Sequence, residues 1–582
     1  MERLRVYSHR KAKLVGGMFI VVLILLGVRV GYLMVFQANH YAALAEDVEQ
    51  RERKVKAARG RIIDRNGIVL ASNKTVCTIS VIHSQIQDED AVIACLTKEL
   101  GASEEEIRKK VTKVSSIEKI KTNVPKKIGE SIRAYDLAGV KVDDDYKRDY
   151  PYHQILSKVL GFTGGDNQGI IGLESYYDEV LQGQDGKILT YTDARGIEVK
   201  ALGEVRLEPE AGDDLYVSLD YNISRYATQL AEKTMQRHGA SAVEMIVMNP
   251  QNGEIYTMVN VPEFSLAEPF VLPEEQMDDT KKESDLLNEI WRNDCISDTY
   301  EPGSTFKIIT TAAALEEGVV TPEESFFCNG SIMVEDTKIR CHKTTGHGSE
   351  DFTHAIMNSC NPVFIQLGLR LGAQGFFHYF DQFQMLGTTG IDLPGEAGTI
   401  MHQQKNVGPV ELATISFGQS FQLTPMQMAT TVSSLINGGK RICPHIALTS
   451  RSRDGEVHKR YTPDDKGRVL SEKTSQTLRG LLYQVVAEGT GKNGQVEGFA
   501  VGGKTATSQM LPRGSGKYIA SFIGFAPADD PQVLAIVIIH EPQGIYYGGT
   551  IAAPVCSELF ENILPYLGVE QIEKNTKGAV AQ

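Results

Sequence analysis

The run Ser304-Thr305-Phe306-Lys307 sets a hydroxyl and an amine three positions apart, and on a helix side chains at that spacing share a face. A serine attacks a carbonyl only when a base takes its proton. A lysine can be that base only as the neutral amine, after burial or a second cation has lowered its pKa. The start of a helix also favours negative charge developing on the Ser304 oxygen. Taken alone, the pattern reads as an ordinary helix start. Two later runs change its weight: Ser359-Cys360-Asn361 offers a second hydroxyl and an amide, and Lys504-Thr505-Ala506-Thr507, preceded by Gly502-Gly503, offers a second amine flanked by hydroxyls. In that order the groups suit acyl transfer through a covalent serine ester.

Elements that could hold these groups are legible around them. Asp214 to Asp220 reads as a strand, Val243 to Met248 and Ile255 to Val259 as a hairpin about Gln251-Asn252-Gly253-Glu254, and Tyr518 to Phe525 with Val533 to His540 as a later strand pair. Pro302-Gly303 punctuates the start of a helix from Ser304 to about Glu317, mostly small and apolar and therefore buried; Ala552 to Leu567 suits a last helix packed on the sheet. Residues 263–298 are acidic and irregular and read as a surface loop. Strands first, helices between and strands last give an α+β arrangement.

Upstream, Leu14 to Phe36 is apolar apart from Arg29 and long enough to span a membrane as a helix. Arg3, Arg5, Arg10, Lys11 and Lys13 precede it, which predicts a cytoplasmic N-terminus and an extracytoplasmic remainder. A cleavable signal peptide is the rival, but Ala43-Leu44-Ala45 lies beyond the end of the apolar run rather than directly after it. Gln37 to Lys56 is polar and helix-prone. Between Arg59 and Ala71, Asn66-Gly67 marks a turn between two apolar runs. Residues 72–145 read as a small inserted subdomain with an acidic helix near Ser103 to Val111, and Arg148 to Gly186 as a second patterned stretch.

A chain of 582 residues exceeds what one core usually supports and predicts at least two domains. Its 42% hydrophobic and 23% charged residues are globular in proportion, and a net charge of -14 argues against a nucleic-acid partner. Eight cysteines without a CxxC pair make no disulfide scaffold. Cys328, Cys341, His342 and His347 could be drawn as zinc ligands, but they match no usual zinc spacing and read as loop residues beside a cleft. No metal is expected.

Serine–lysine, serine–asparagine and lysine–threonine motifs in this order occur in penicillin-binding proteins. Further stretches extend the match: RGRIIDRNGIVLA (59–71), GIIGLESYYDEVLQGQDG (169–186), EPGSTFK (301–307), SCNPVF (359–364), GIDLPGE (390–396), SFGQSFQLTPMQ (416–427), GGKTATSQ (502–509) and YYGGTIAAPV (546–555). Through them nearly the whole chain resembles the class B penicillin-binding proteins. Cys328, Ile339-Arg340-Cys341-His342 and Gly346-His347-Gly348 most resemble the sporulation-specific, stage V type. The resemblance implies an α+β fold with a cytoplasmic tail at 1–13, a transmembrane helix at 14–36 and an elongated mixed α/β, dimerisation-like pedestal at 37–210. A serine β-lactamase/transpeptidase-like domain with a central antiparallel sheet between helices follows at 211–567, with a tail at 568–582. The PASTA domain that the stage V type often carries is not expected.

Functionally the resemblance implies a membrane-anchored D,D-transpeptidase that cross-links peptidoglycan stem peptides through an acyl-serine, is acylated by β-lactams and serves spore cortex synthesis. Its partner would be a multi-pass membrane glycosyltransferase of the shape, elongation, division and sporulation class. The alternatives are an elongation or division enzyme of the same class, or a non-catalytic scaffold or β-lactam sensor. A carboxypeptidase or β-lactamase would share the triad but needs neither anchor nor pedestal. By the resemblance Ser304 attacks, Lys307 takes its proton, Ser359 relays a proton to the leaving amine, and Asn361 holds Lys307 and the substrate amide. Lys504 would depress the Lys307 pKa and attract the substrate carboxylate, Thr505 and Thr507 would hydrogen-bond it, and the Ser304 and Thr507 N–H groups would form the oxyanion hole. No cofactor is implied. Ala506 stands where the family usually has glycine and is expected to weaken binding of bulky β-lactams. Cys341 and Cys360 are expected as a redox pair whose disulfide, formed in the oxidising exterior, would impair catalysis.

Overall fold

Apolar residues dominate Ala242–Met248 (β1), Ile255–Val261 (β2), Tyr518–Ala526 (β4) and Val533–His540 (β5), while Gly502–Gln509 (β3) is glycine-rich and polar, and almost all positions of the five are buried. Strands without a polar face need cover on both sides. In the computed structural model, which describes residues 2–38, 50–191 and 204–572, the five form one antiparallel sheet in the order β2-β1-β5-β4-β3. The β1–β2 turn closes tightly: Gly253 has φ +82°, and a Cβ there would lie 2.7 Å from the Cys443 carbonyl oxygen. Helices Tyr221–His238 and Ala553–Tyr566 cover one face through Ile223, Ala227, Leu559 and Phe560. A larger core covers the other, with Phe306, Ile309, Phe364 and Met428 among its members; burying one such side chain contributes about 1.5–3 kcal/mol.

By packing density the chain divides into two units, each built from separated segments: Met1–Ala58, Lys74–Lys147 and Gly183–Ala211 form the first, and Arg59–Asn73, Arg148–Gln182 and Gly212–Gln582 the second. Within the second, the Arg59 guanidinium bonds Glu174 Oε2 at 2.5 Å and Asp178 at 2.6 Å, and Arg148 bonds Glu174 Oε1 at 2.7 Å. Glu174 is fully buried. Tyr177 donates to Asp392 at 2.7 Å, and Asp392 also accepts the Ile446 and Ala447 N–H groups at 2.8 Å. The RGR, GLESYY and GIDLPGE motifs thus meet as partners.

The first unit has its own small core of Ile79, Val92, Leu96, Ile107, Val124 and Ile132, contributed by Val69–Val81, Glu118–Pro125 and the helices Glu89–Leu100, Glu104–Val111 and Lys126–Ala134. Ser103 caps the acidic helix through the Glu106 N–H. In the same unit Glu2–Phe36 is a single helix. Over Arg10–Phe36 its mean hydropathy is 2.6, and among the described residues it alone is long and apolar enough to cross a membrane.

Three local expectations are corrected. Gln50–Val55, inside the stretch read as helix-prone, is a strand paired with Gly186–Tyr191, because cross-strand pairing outweighs the propensity of a polar segment; residues 39–49, including Ala43-Leu44-Ala45, lie outside the described residues. Residues 263–298 contain the helices Glu283–Trp291 and Asp294–Ser297, held by buried Leu286, Cys295 and Ile296. The helix expected from Ser304 begins as a 3₁₀ turn, Gly303–Phe306, before Lys307–Glu316 turns α-helical.

Candidate active site

Gly303 takes φ +55°, a backbone conformation open mainly to glycine, and so turns the chain into the 3₁₀ segment that carries Ser304. The SFGQS stretch buttresses this turn. The Gly303 N–H donates to the Gly418 carbonyl at 2.9 Å and the Ser420 N–H to Glu301 at 2.9 Å, while Arg513 holds the other Glu301 oxygen at 2.5 Å. A Cβ on Gly418 would come within 2.0 Å of the Gly303 oxygen, so only glycine allows this approach.

One turn further, Lys307 is fully buried. Its ammonium spends all three donors: 2.8 Å to the Ser359 carbonyl, 3.1 Å to Ser359 Oγ and 2.7 Å to Asn361 Oδ1. The Asn361 amide is oriented in turn by donating to the Arg340 carbonyl at 3.2 Å. Burial pulls the Lys307 pKa down to about 8 against weaker opposing pulls from Cys341 and Cys360, so about a tenth is the neutral amine at pH 7.

Ser359 and Asn361 reach Lys307 because two helices end and begin there. Phe352–Met357 closes with Ser359 in the left-handed region, φ +53°, its N–H bonded to Ile356 and that of Cys360 to Ala355, and Cys360 precedes the first residue of Asn361–Gln382. Left-handed backbone is uncommon for a residue with a side chain, and such positions concentrate at functional sites.

On β3, at the edge of the sheet, side chains alternate. Lys504 is fully buried and its amine touches the Thr505 carbonyl at 3.3 Å. Thr507 accepts the Gly548 N–H at 3.0 Å, and a Cβ on Gly548 would lie 2.1 Å from the Ala506 oxygen, so the YYGG stretch packs directly on this strand. A Cβ on Gly303 would lie 3.6 Å from the Ala506 Cβ, which aims the extra methyl at the nucleophile's turn. Burial first, and then the Lys307 charge, push the Lys504 pKa well down. Burial is the largest cause at Lys307, and the charges of the two lysines are coupled.

Ser304, Ser359, Asn361, Thr505, Ala506 and Thr507 line one cleft of about 520 Å³, which buried Lys307 meets through its bonds to Ser359 and Asn361. Its rim includes His342, Thr490, Tyr518, Tyr546 and Tyr547; from sequence His342 reads only as a possible zinc ligand, the YYGG stretch gives a motif without a role, and Thr490 gives no signal. Behind the rim the sulfurs of Cys328, Cys341 and Cys360 and a ring nitrogen of His347 lie within 4.8 Å of one another. The grouping drawn from sequence had His342 where the structure has Cys360. All eight cysteines are free, so the Cys341–Cys360 disulfide is not formed. The two thiols instead share a hydrogen bond, which pulls Cys341 well below the usual thiol range and pushes Cys360 up.

Comparison with known proteins places this geometry. Residues 244–561 match the penicillin-binding protein transpeptidase domain and 54–217 the penicillin-binding protein dimerisation domain. Stage V sporulation protein D of Bacillus subtilis is 40% identical over 574 residues, covering 95% of this chain and 86% of that protein. The probable peptidoglycan D,D-transpeptidase PenA of Neisseria meningitidis is 29% identical, covering 94% and 91%. A peptidoglycan synthetase structure from Bifidobacterium adolescentis superposes with a TM-score of 0.74 at 20% identity, covering 90% of this chain and 98% of that one. With both domain models matched and a 40% identical relative covered over most of its length, the chain belongs to the class B penicillin-binding proteins.

Proposed function

We propose that the protein is a membrane-anchored peptidoglycan D,D-transpeptidase acting in spore cortex synthesis. The observation that carries the reading is Lys307, buried and held by Ser359 and Asn361 one turn from Ser304. The neutral amine takes the Ser304 proton as Oγ attacks the penultimate D-alanine carbonyl of a stem peptide. The terminal D-alanine leaves with a proton relayed through Ser359, and an amine of a second stem then displaces the ester and returns Ser304. The Ser304 and Thr507 N–H groups face the developing oxyanion, a contribution of about 3–4 kcal/mol per donor in comparable sites. Substrate backbone adds along the free edge of β3, and its carboxylate restores the Lys504 proton and bonds Thr505 and Thr507. The name and 40% identity of the Bacillus relative support the sporulation role. The basic residues before the apolar helix support a cytoplasmic N-terminus with the cleft outside, where a multi-pass glycosyltransferase supplies glycan strands.

The test is intact-mass spectrometry of the detergent-solubilised chain after benzylpenicillin. A single penicilloyl adduct, absent in Ser304→Ala and only slowly lost, is expected. A folded chain that gains no adduct, or hydrolyses the drug rapidly, overturns the assignment.

A further inference from the structure

One cavity of the second unit is left unused by the acyl-transfer chemistry. It lies at the end of the sheet where Ser508 of β3 pairs with Ile519 of β4, and Ile519 in turn with His540 of β5, and it encloses about 260 Å³. The carboxylates of Glu244, Asp294, Asp298 and Glu301 line it, against one side chain able to carry positive charge, His540. Its inner end is buried and its mouth is open: Glu244 is 4% exposed, whereas Leu511 is 56% exposed.

Three of the carboxylates are answered from outside the lining. Lys158 stands 3.7 Å from Asp294, Arg292 pairs with Asp298, and Arg513 with Glu301. Glu244 is answered on one oxygen only. His540 Nε2 lies 2.7 Å from Oε1, but Oε2 is buried with no hydrogen-bond partner, a costly arrangement for a carboxylate. The same shortage of positive charge shows at Asp294, whose pKa burial carries up to about 6 despite Lys158, with the Glu244 charge adding to the rise. A donor that brings positive charge would complete the cavity.

We propose that this cavity binds a small alkylammonium ion, with its charged end on Glu244 Oε2 and its hydrocarbon stem along Met510, Leu511 and Ile519. An ammonium offers three donors and no acceptor, which suits an unanswered carboxylate oxygen. A divalent metal needs several oxygens converging on one point, and among the described residues no three of these carboxylates bring oxygens within 4.8 Å of one another. At about 30 Å³ for each water-sized group, the space takes a five-carbon diamine, whose second ammonium would reach Asp298 nearer the mouth. The same end group is carried by free diamines and by basic side chains of peptides.

The wall between this cavity and the nucleophile is one side chain thick. A Cβ on Gly303 would lie 2.3 Å from Ser508 Oγ, and Glu301 belongs both to the lining and to the turn that carries Ser304. An occupant would therefore bear on acylation. That consequence rests on the proposed function; the binding itself does not.

The test is calorimetric titration of the full-length chain in detergent with 1,5-diaminopentane, with Nα-acetyl-lysine amide as the peptide-borne amine, and with 1-pentanol as an uncharged match. Saturable uptake of one diamine per chain is expected, with a dissociation constant of about 1 mM or tighter. Glu244→Gln should weaken it by about tenfold or more, and pentanol should not bind. Tighter binding of the lysine derivative assigns the site to a peptide side chain, and tighter binding of the diamine to a free amine. Should Glu244→Gln fail to fold, magnetic-resonance contacts between bound diamine and the labelled methyl groups of Met510, Leu511 and Ile519 in the unaltered chain decide. No saturable binding in folded protein at about ten times the expected constant, or equal binding by Glu244→Gln or of pentanol, overturns the site. Diamine uptake by a chain that takes no penicilloyl adduct counts against the proposed function and leaves the cavity's ligand standing.

Discussion

Around Glu174 the second unit buries two guanidiniums against carboxylates, whereas beneath the cleft it buries two amines with, among the described residues, no carboxylate bonded to either. In the first cluster every charge is answered, and the pull of Glu174 and Asp178 carries the Arg59 pKa above its usual value despite burial. In the second, burial presses both amines toward neutrality, and the Lys307 charge adds to it at Lys504. An answered charge is fixed at any ordinary pH and can only hold structure; an unanswered one sits near the point of proton exchange and can do work. The same residue class is an anchor in one place and, in the proposed mechanism, a base in the other because of its neighbours.

Substitutions can break this contrast. Lys307→Met should slow penicillin acylation by about 10³-fold, within the range of general-base loss, while the purified domain stays folded; acylation within tenfold of normal would remove Lys307 as the base. Glu174→Ala should do the reverse: stranding Arg59 and Arg148 costs about 3–5 kcal/mol of stability, read as a lower denaturation midpoint, with little change in acylation per folded molecule. The pH dependence sharpens the comparison. Acylation should rise along a limb centred near pH 8 as Lys307 loses its proton. Between about 8 and the unfolded value of 10.5 the unfolded chain binds more protons than the native one, so this lysine's contribution to stability grows with pH; a limb centred near 10 would place Lys307 outside the low-pKa class. Tyr177→Phe, which leaves Asp392 its two backbone donors, should cost only about 1 kcal/mol. Smallest, Ala506→Gly should speed acylation by bulky β-lactams severalfold, and identical second-order rates would mean that the methyl does not obstruct the cleft.

The reacting groups were legible because their chemistry demands particular side chains in a particular order, and the sheet because β1, β2, β4 and β5 read as apolar runs bounded by turns. What escaped was set by partners distant in the chain. Gln50–Val55 is polar and becomes a strand only through Gly186–Tyr191. Lys307 is held by Ser359 and Asn361, 52 and 54 positions on. Cys360 could not be grouped with Cys328 from spacing, since the turn between two helices brings them together. Thr490 lines the cleft with no local pattern to mark it, and Tyr518 read only as the start of a strand.

The strand order carries a consequence for synthesis. β5 lies between β1 and β4, so β1 and β2 must wait, an apolar hairpin with an open edge, until residues 533–540 have left the ribosome. At roughly 5–20 residues per second that is tens of seconds. The sheet that seats the lysine pair is therefore among the last parts to close, and an unfinished copy has no assembled cleft.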